Sequence, residues 1–177
     1  MSTLEVNTIN PQSGTTITIG GSGDTVSLGS GATQSGFSGV NTPSFHAYRT
    51  SSQTINTGTW TKIQIDVELF DSDSNFDATT NYRFTPTTAG KYYIYGSVNN
   101  GVYNLAQYVA IYKNGSQELL AQANSDGGSI VNVSGIVDFN GSSDYVELYT
   151  YITTSSTSTQ GKERTFFGGY KIIQWAY

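Results

Sequence analysis

Between Trp60 and Phe70 the chain alternates. Ile63, Ile65, Val67 and Leu69 fall on one face, and Lys62, Gln64, Asp66 and Glu68 on the other. A side-chain period of two marks a half-buried antiparallel strand. Similar runs recur at short spacing. Ser44–Thr50 contains Phe45-His46-Ala47-Tyr48, Asn81–Thr85 is brief, and Gly90–Val98 is rich in tyrosine. Gln107–Lys113 and Gln117–Gln122 flank Asn114-Gly115, a dipeptide suited to the two left-handed positions of a tight hairpin. Ser129–Phe139 and Tyr145–Thr153 flank a second turn, Asn140-Gly141-Ser142-Ser143, and Thr165–Ile173 closes the chain. The pattern predicts eight or nine strands and no helix. Many short strands joined by turns pack as a sandwich or barrel. Eight strands fit a jelly roll, and periodicity alone does not separate that from an immunoglobulin-like sandwich.

The pattern changes before residue 43. Residues 1–43 hold one aromatic, Phe37, and two charges, Glu5 and Asp24. Such a segment cannot fill a core of its own. It does repeat: Thr16-Ile17-Thr18-Ile19-Gly20 returns as Thr25-Val26-Ser27-Leu28-Gly29, and Thr3-Leu4-Glu5-Val6 carries the same small–apolar–polar–apolar order. One such strand buries too little to stand alone, whereas stacked copies, or one copy from each of several chains, bury the apolar face together. The expectation is a short β-helical or intertwined stem over 1–43, with a flexible Gly/Ser linker as the other reading. Pro43 and Gly36-Phe37-Ser38-Gly39 mark the boundary with a second domain, 44–177.

Composition narrows the function. The 177 residues carry 8 Lys and Arg against 13 Asp and Glu, a net charge of -5. Phosphate neutralisation needs clustered bases, so a nucleic-acid partner is not expected. With no cysteine, disulfides, thiolate zinc sites and cysteine nucleophiles are excluded. No apolar run approaches the length of a membrane span, and the first ten residues lack the pattern of a signal peptide, so neither membrane insertion nor secretion is expected. Charged residues make up only 12% and hydrophobic ones 36%, while Thr and Ser number 24 and 22 and Tyr 13. That balance favours strands and turns over helices. It also suits a chain that completes its buried area through oligomer contacts.

Phe84-Thr85-Pro86-Thr87-Thr88-Ala89-Gly90-Lys91-Tyr92-Tyr93-Ile94 resembles the central signature of the globular-head domain of complement component one-q, which shares its jelly roll with tumour necrosis factor. Phe84, Gly90 and Tyr92 match; Ile94 and Gly96 stand where that family usually has aromatics. Pro43-Ser44-Phe45-His46-Ala47 resembles its opening strand. Phe76-Asp77 stands in for its Tyr-Asp pair, and Thr165-Phe166-Phe167-Gly168-Gly169-Tyr170 resembles its closing strand. The resemblance covers the whole second segment. It implies an all-β antiparallel jelly-roll sandwich that assembles as a tight homotrimer. The opening Met1-Ser2-Thr3-Leu4-Glu5-Val6-Asn7-Thr8-Ile9 is similar to the N-termini of virion proteins of marine tailed bacteriophages, tail-fibre-like proteins among them.

Catalytic patterns are sparse. His46 is the one histidine, and it sits beside Phe45 in the opening strand, where it reads as a packed or surface residue. There is no Gly-x-Ser-x-Gly elbow, phosphate loop or dinucleotide-binding glycine pattern. Asp66 and Glu68 belong to one polar strand face and not to the two walls of a glycosidase cleft. The chain is read as a non-enzyme. Asp71, Asp73, Asn75 and Asp77 place oxygen ligands at alternate positions, as the first half of a calcium loop does. Phe76 replaces the turn glycine, and Tyr82 stands where the bidentate glutamate belongs. Weak calcium binding and a solvated acidic turn are the two readings; some members of the resembled family bind calcium near the trimer apex. Sequons at Asn114, Asn132 and Asn140 read as hairpin residues. Trp175 and Tyr177 read as subunit-contact residues, and the Ser/Thr loop 153–160 as a tip or a polar surface for sugars.

These readings combine into one expectation: a homotrimeric virion protein assembled in a bacterial cytoplasm. It attaches to other virion proteins through 1–43, and its jelly-roll head recognises a host-surface glycan or protein as a tail fibre or receptor-binding protein. Capsid decoration or a head spike is the alternative, and a bacterial extracellular adhesin a lesser one.

Overall fold

The computed structural model describes residues 8–27, 29–32, 41–101, 105–125, 130–153, 156–158, 161 and 163–172. The chain divides into two units, 1–38 and 39–177. Among the described residues of the first unit there is no strand. Turns close at Asp24 N to Gly21 O (3.2 Å) and Ala32 N to Gly29 O (3.0 Å). Outside the turns the repeat holds Ile17, Ile19 and Val26 exposed. Among the described residues, Thr16–Gly20 and Thr25–Ser27 have no strand partner within the chain, and a ladder cannot form without one.

The second unit is all-β among its described residues. Its strands are β1 (Ser44–Tyr48), β2 (Gln53–Ile55), β3 (Thr61–Lys62), β4 (Val67–Asp71), β5 (Phe76–Asp77), β6 (Arg83–Phe84), β7 (Gly90–Asn99), β8 (Leu105–Lys113), β9 (Ser116–Ser125), β10 (Ile130–Phe139), β11 (Val146–Ile152), β12 (Ser156–Ser158) and β13 (Phe166–Lys171). Eight of them are five residues or longer; seven match runs that the sequence pattern foretells, and β4 is the second half of the run Trp60–Phe70. One sheet runs β10-β7-β13-β1-β4. The other runs β5-β6-β11-β8-β9, with β3 also on β11, and β2 pairs with β12. All ladders between these strands are antiparallel, and the two sheets form a jelly-roll sandwich.

Between the sheets lies a core of Phe, Ile, Val and Leu. Phe45 on β1 stacks on Phe84 of the opposite sheet at 4.3 Å between centroids and on Phe76 at 4.9 Å. Phe139 meets Tyr92 edge-on at 5.0 Å. The Phe84–Gly90–Tyr92 signature has a plain physical content. Phe84 and Tyr92 are fully buried, and the Tyr92 hydroxyl donates to the Thr88 carbonyl at 2.7 Å. Gly90 adopts φ +140, a conformation that L side chains avoid. Asn114 and Gly115 have φ 51 and 80, the pair of positive values that a two-residue hairpin between β8 and β9 demands.

Three expectations need correction. The alternating run Trp60–Phe70 is not one strand. It splits into β3, which joins β11, and β4, which joins β1, so the chain crosses from one sheet to the other over residues 63–66. Ile63 and Ile65 stay in the core, but Leu69 ends 56% exposed. The crossing is held by side chains in place of a ladder. Gln53 donates to the Lys62 carbonyl at 2.8 Å and accepts from Gln64 N at 3.0 Å. Buried Arg49 donates to the Gln64 and Ser52 carbonyls. Next, the turn at Asn140 is real but joins β10 to β11 in different sheets, so it is not a hairpin. The Asn140 side-chain oxygen accepts from the N–H groups of Ser142, Ser143 and Asp144 at 2.9–3.1 Å. Finally, Asn132 lies within β10 opposite Ser97, away from any turn. Trp175 and Tyr177 lie outside the described residues, as do Thr154, Ser155, Thr159 and Gln160 of the 153–160 loop, whose Ser156–Ser158 pairs with β2.

Arg49 therefore holds the crossing. Replacing it with Ala removes donors from two main-chain carbonyls and is expected to cost about 2–4 kcal/mol in urea unfolding. Arg49→Lys should fall between the two, because an ammonium cannot reproduce the guanidinium fork. An Arg49→Ala chain within about 0.5 kcal/mol of the parent would contradict this role.

Candidate functional site

The outer face of the β10-β7-β13-β1-β4 sheet is built by alternation. Phe45, Ala47, Tyr92, Ile94 and Phe167 point into the core, so their neighbours must point out. The register then lines up two outward rows. Ser44, Tyr170, Tyr93 and Ile136 form one. Phe70, His46, Gly168, Tyr95 and Ser134 form the other. Both are dominated by rings. Tyr93 and Tyr170 lie 5.6 Å apart, His46 lies 5.9 Å from Tyr95 and 5.5 Å from Phe166, and Phe70 stacks on His46 at 6.4 Å. Ile136 is 59% exposed and Phe70 49%.

Gly168 makes the second row possible. A Cβ there would collide with the Tyr95 ring, so the missing side chain lets that ring lie flat across β13. Its hydroxyl then comes within 3.0 Å of His46 Nδ1. Burial pushes the Tyr95 hydroxyl up and holds the His46 imidazole below its ordinary value, so the pair is neutral near pH 7. His46 thus sits among rings, bonded to a phenol. Charge on this face is confined to its margin, where Lys91 pairs with Asp138 at 2.6 Å.

The acidic loop is built differently. Asp71 accepts from Phe76 N at 2.7 Å and from Asp73 N at 3.4 Å. Asp73 accepts from the Ser72 hydroxyl. Asn75 is buried, accepts from Thr87 N at 2.8 Å, and donates to the Asp73 carbonyl at 2.8 Å. Asp77 accepts from the N–H groups of Thr79, Thr80 and Asn81 at 2.9–3.0 Å, and from the Asn81 amide at 2.7 Å. Those bonds hold its carboxyl well below the usual carboxylate range. The four candidate ligands therefore turn their oxygens to the loop's own donors. Among the described residues no group of three or more His, Cys, Asp or Glu is placed to hold a metal ion.

Sequence reasoning missed the aromatic face as a unit. Its signals were Tyr93 and Tyr95 on alternate positions of one strand and the Gly168–Tyr170 spacing of another. Neither says which strands are neighbours.

No protein-family model matches the chain, and no curated protein matches it. Solved structures do. Murine APRIL at pH 5.0 aligns with a TM-score of 0.53 at 15% identity, over 73% of this chain and 98% of that one. The globular domain of zebrafish complement 1qA gives 0.53 at 14%, over 75% and 98%. Eiger TNF from S. frugiperda gives 0.55 at 10%, over 76% and 94%. The chain is therefore similar in fold to the tumour necrosis factor and complement-head jelly rolls.

Two titrations should be visible in stability. His46 and Asp77 both have depressed values in the fold, so each contributes stability that is present above its ordinary value and lost as pH falls below it. Stability at fixed protein concentration should decline first below 6.5, the ordinary histidine value, and again below 3.8, the ordinary aspartate value. His46→Asn should reduce the first decline and Asp77→Asn the second, to which Asp144, held low by Asn114 and Lys113, also contributes. Unchanged pH profiles in urea unfolding would show that these groups titrate alike in both states.

Proposed function

We propose that this chain is a non-enzymatic, homotrimeric virion protein of a tailed bacteriophage. Residues 1–43 serve as its attachment stem and the jelly-roll head as a tail-fibre or receptor-binding module at the host surface. The observation that carries the assembly is the ring-covered sheet face. Tyr93, Tyr95, Tyr170, Phe70 and Ile136 form a contiguous apolar surface in the single chain, and such surfaces mark interfaces. A closed ring of three copies covers it without leaving an open end. The resemblance to the complement head and to tumour necrosis factor, both read as trimeric jelly rolls, supports the same number.

The first unit supports the stem. Its exposed Ile17, Ile19 and Val26 recur on a short repeat, so three chains wound together bury what one leaves in water. The similarity of Met1–Ile9 to marine phage virion proteins supports the virion setting. Trimerisation also presents three copies of any weak head surface to one cell, which raises avidity without new contacts.

Sedimentation tests the assembly. The unaltered protein should run near three times 19.0 kDa. Ile136→Glu and Tyr170→Glu place charge on the exposed face, away from the core, and should each give a folded 19.0 kDa monomer. A monomer from the unaltered chain at micromolar concentration would overturn the proposal. Gold-labelled antibody on intact particles tests the role: label on tail fibres or tip is expected, and label spread over the capsid would make the protein a decoration.

A further inference from the structure

The second sheet carries a separate aromatic surface, on the side of the sandwich away from the face just described. On its outer side β11 and β8 pair Tyr151 with Tyr108, and Trp60 leans on both, at 5.6 Å from Tyr151 and 6.4 Å from Tyr108. Tyr108 and Tyr151 meet edge-on at 5.7 Å. Over these rings lies an open hollow of about 370 Å³, completed by Leu120 and Thr153. That volume falls within the range of small-molecule sites.

We propose that this hollow binds a neutral saccharide, one pyranose face stacking on Trp60 and Tyr151. Three observations select that chemistry. First, none of the described lining residues is charged, and Lys62, two positions from Trp60, is paired with Glu147 at 2.9 Å. An anionic ligand finds no partner there, and the net charge of -5 repels phosphates further. Second, the rings touch one another. Centroids 5.6–6.4 Å apart leave no gap in which a methylated ammonium could sit ringed by aromatic faces, so the cluster is a platform and not a cation cage. Third, the rim is polar. Trp60, Tyr108, Tyr151 and Thr153 each carry an N–H or O–H group beside their apolar surface, the two kinds of contact that a sugar can meet. A pyranose offers this combination of an apolar C–H face and a hydroxyl edge.

This inference deepens the host-recognition role, but it rests on residues outside the proposed trimer face. The probes are the methyl glycosides of glucose, galactose, mannose and N-acetylglucosamine, titrated onto the full-length protein by ligand-observed NMR. At least one should bind saturably. Thr153→Arg, an exposed change that fills the hollow's rim, and Trp60→Ala should each weaken it by about tenfold or more, with sedimentation unchanged. The inference is overturned if no glycoside binds saturably, if Thr153→Arg binds as the parent does, or if tetramethylammonium binds and the glycosides do not. Saturable binding by a monomeric parent would keep the saccharide site and remove the trimer.

Discussion

Phe45 is where the two sheets hold each other. It projects from β1 of one sheet and stacks between Phe76 and Phe84 of the other, and Phe167 closes on its edge at 5.1 Å. Removing such a ring typically costs about 3–5 kcal/mol, a large part of a domain's stability. Everything functional hangs on this packing indirectly. With Phe45 pointing in, His46 must point out, and with Phe167 in, Gly168 lies open beneath the Tyr95 ring. The outer surfaces are consequences of the inner one, because a strand's two faces cannot be chosen independently.

Strand existence was legible in the sequence, because period-two alternation reflects burial directly. The all-β class and most of the longer strands follow from it, the choice of a jelly roll came from the resemblance carried by Phe84, Gly90 and Tyr92, and Asn114-Gly115 made its hairpin for the foreseen reason. What alternation cannot report is a change of sheet. Residues 60–70 alternate throughout, yet the chain crosses the sandwich in their middle, since inward-facing residues remain inward in either layer. The cue lay elsewhere, in Arg49 and Gln53, whose side chains satisfy main-chain groups that a continuous strand would have paired. The same blindness hid the aromatic face. Tyr95 and Gly168 are 73 positions apart, and only the β7–β13 register brings them together.

The acidic loop shows what residue spacing alone leaves open. Asp71, Asp73, Asn75 and Asp77 have the alternate spacing of calcium ligands, but spacing does not fix where lone pairs point. Here Asp71, Asn75 and Asp77 accept from backbone N–H groups and Asp73 from the Ser72 hydroxyl, as short polar side chains in turns commonly do. The two sheets meanwhile present rings of different character. One face is broad and largely apolar, as a surface meant for protein is. The other gathers three rings beside a hollow on the scale of a single small molecule.

The Tyr95–Gly168 contact also constrains how this protein can vary. The ring occupies the space in which any side chain at 168 would stand, so the two positions are not free to drift separately. A larger residue at 168 requires the end of the Tyr95 ring to move or a smaller residue at 95, and either change would disturb the hydroxyl's contact with His46. Among related chains the three positions should therefore change together or not at all, a pattern of linked inheritance written by one absent side chain.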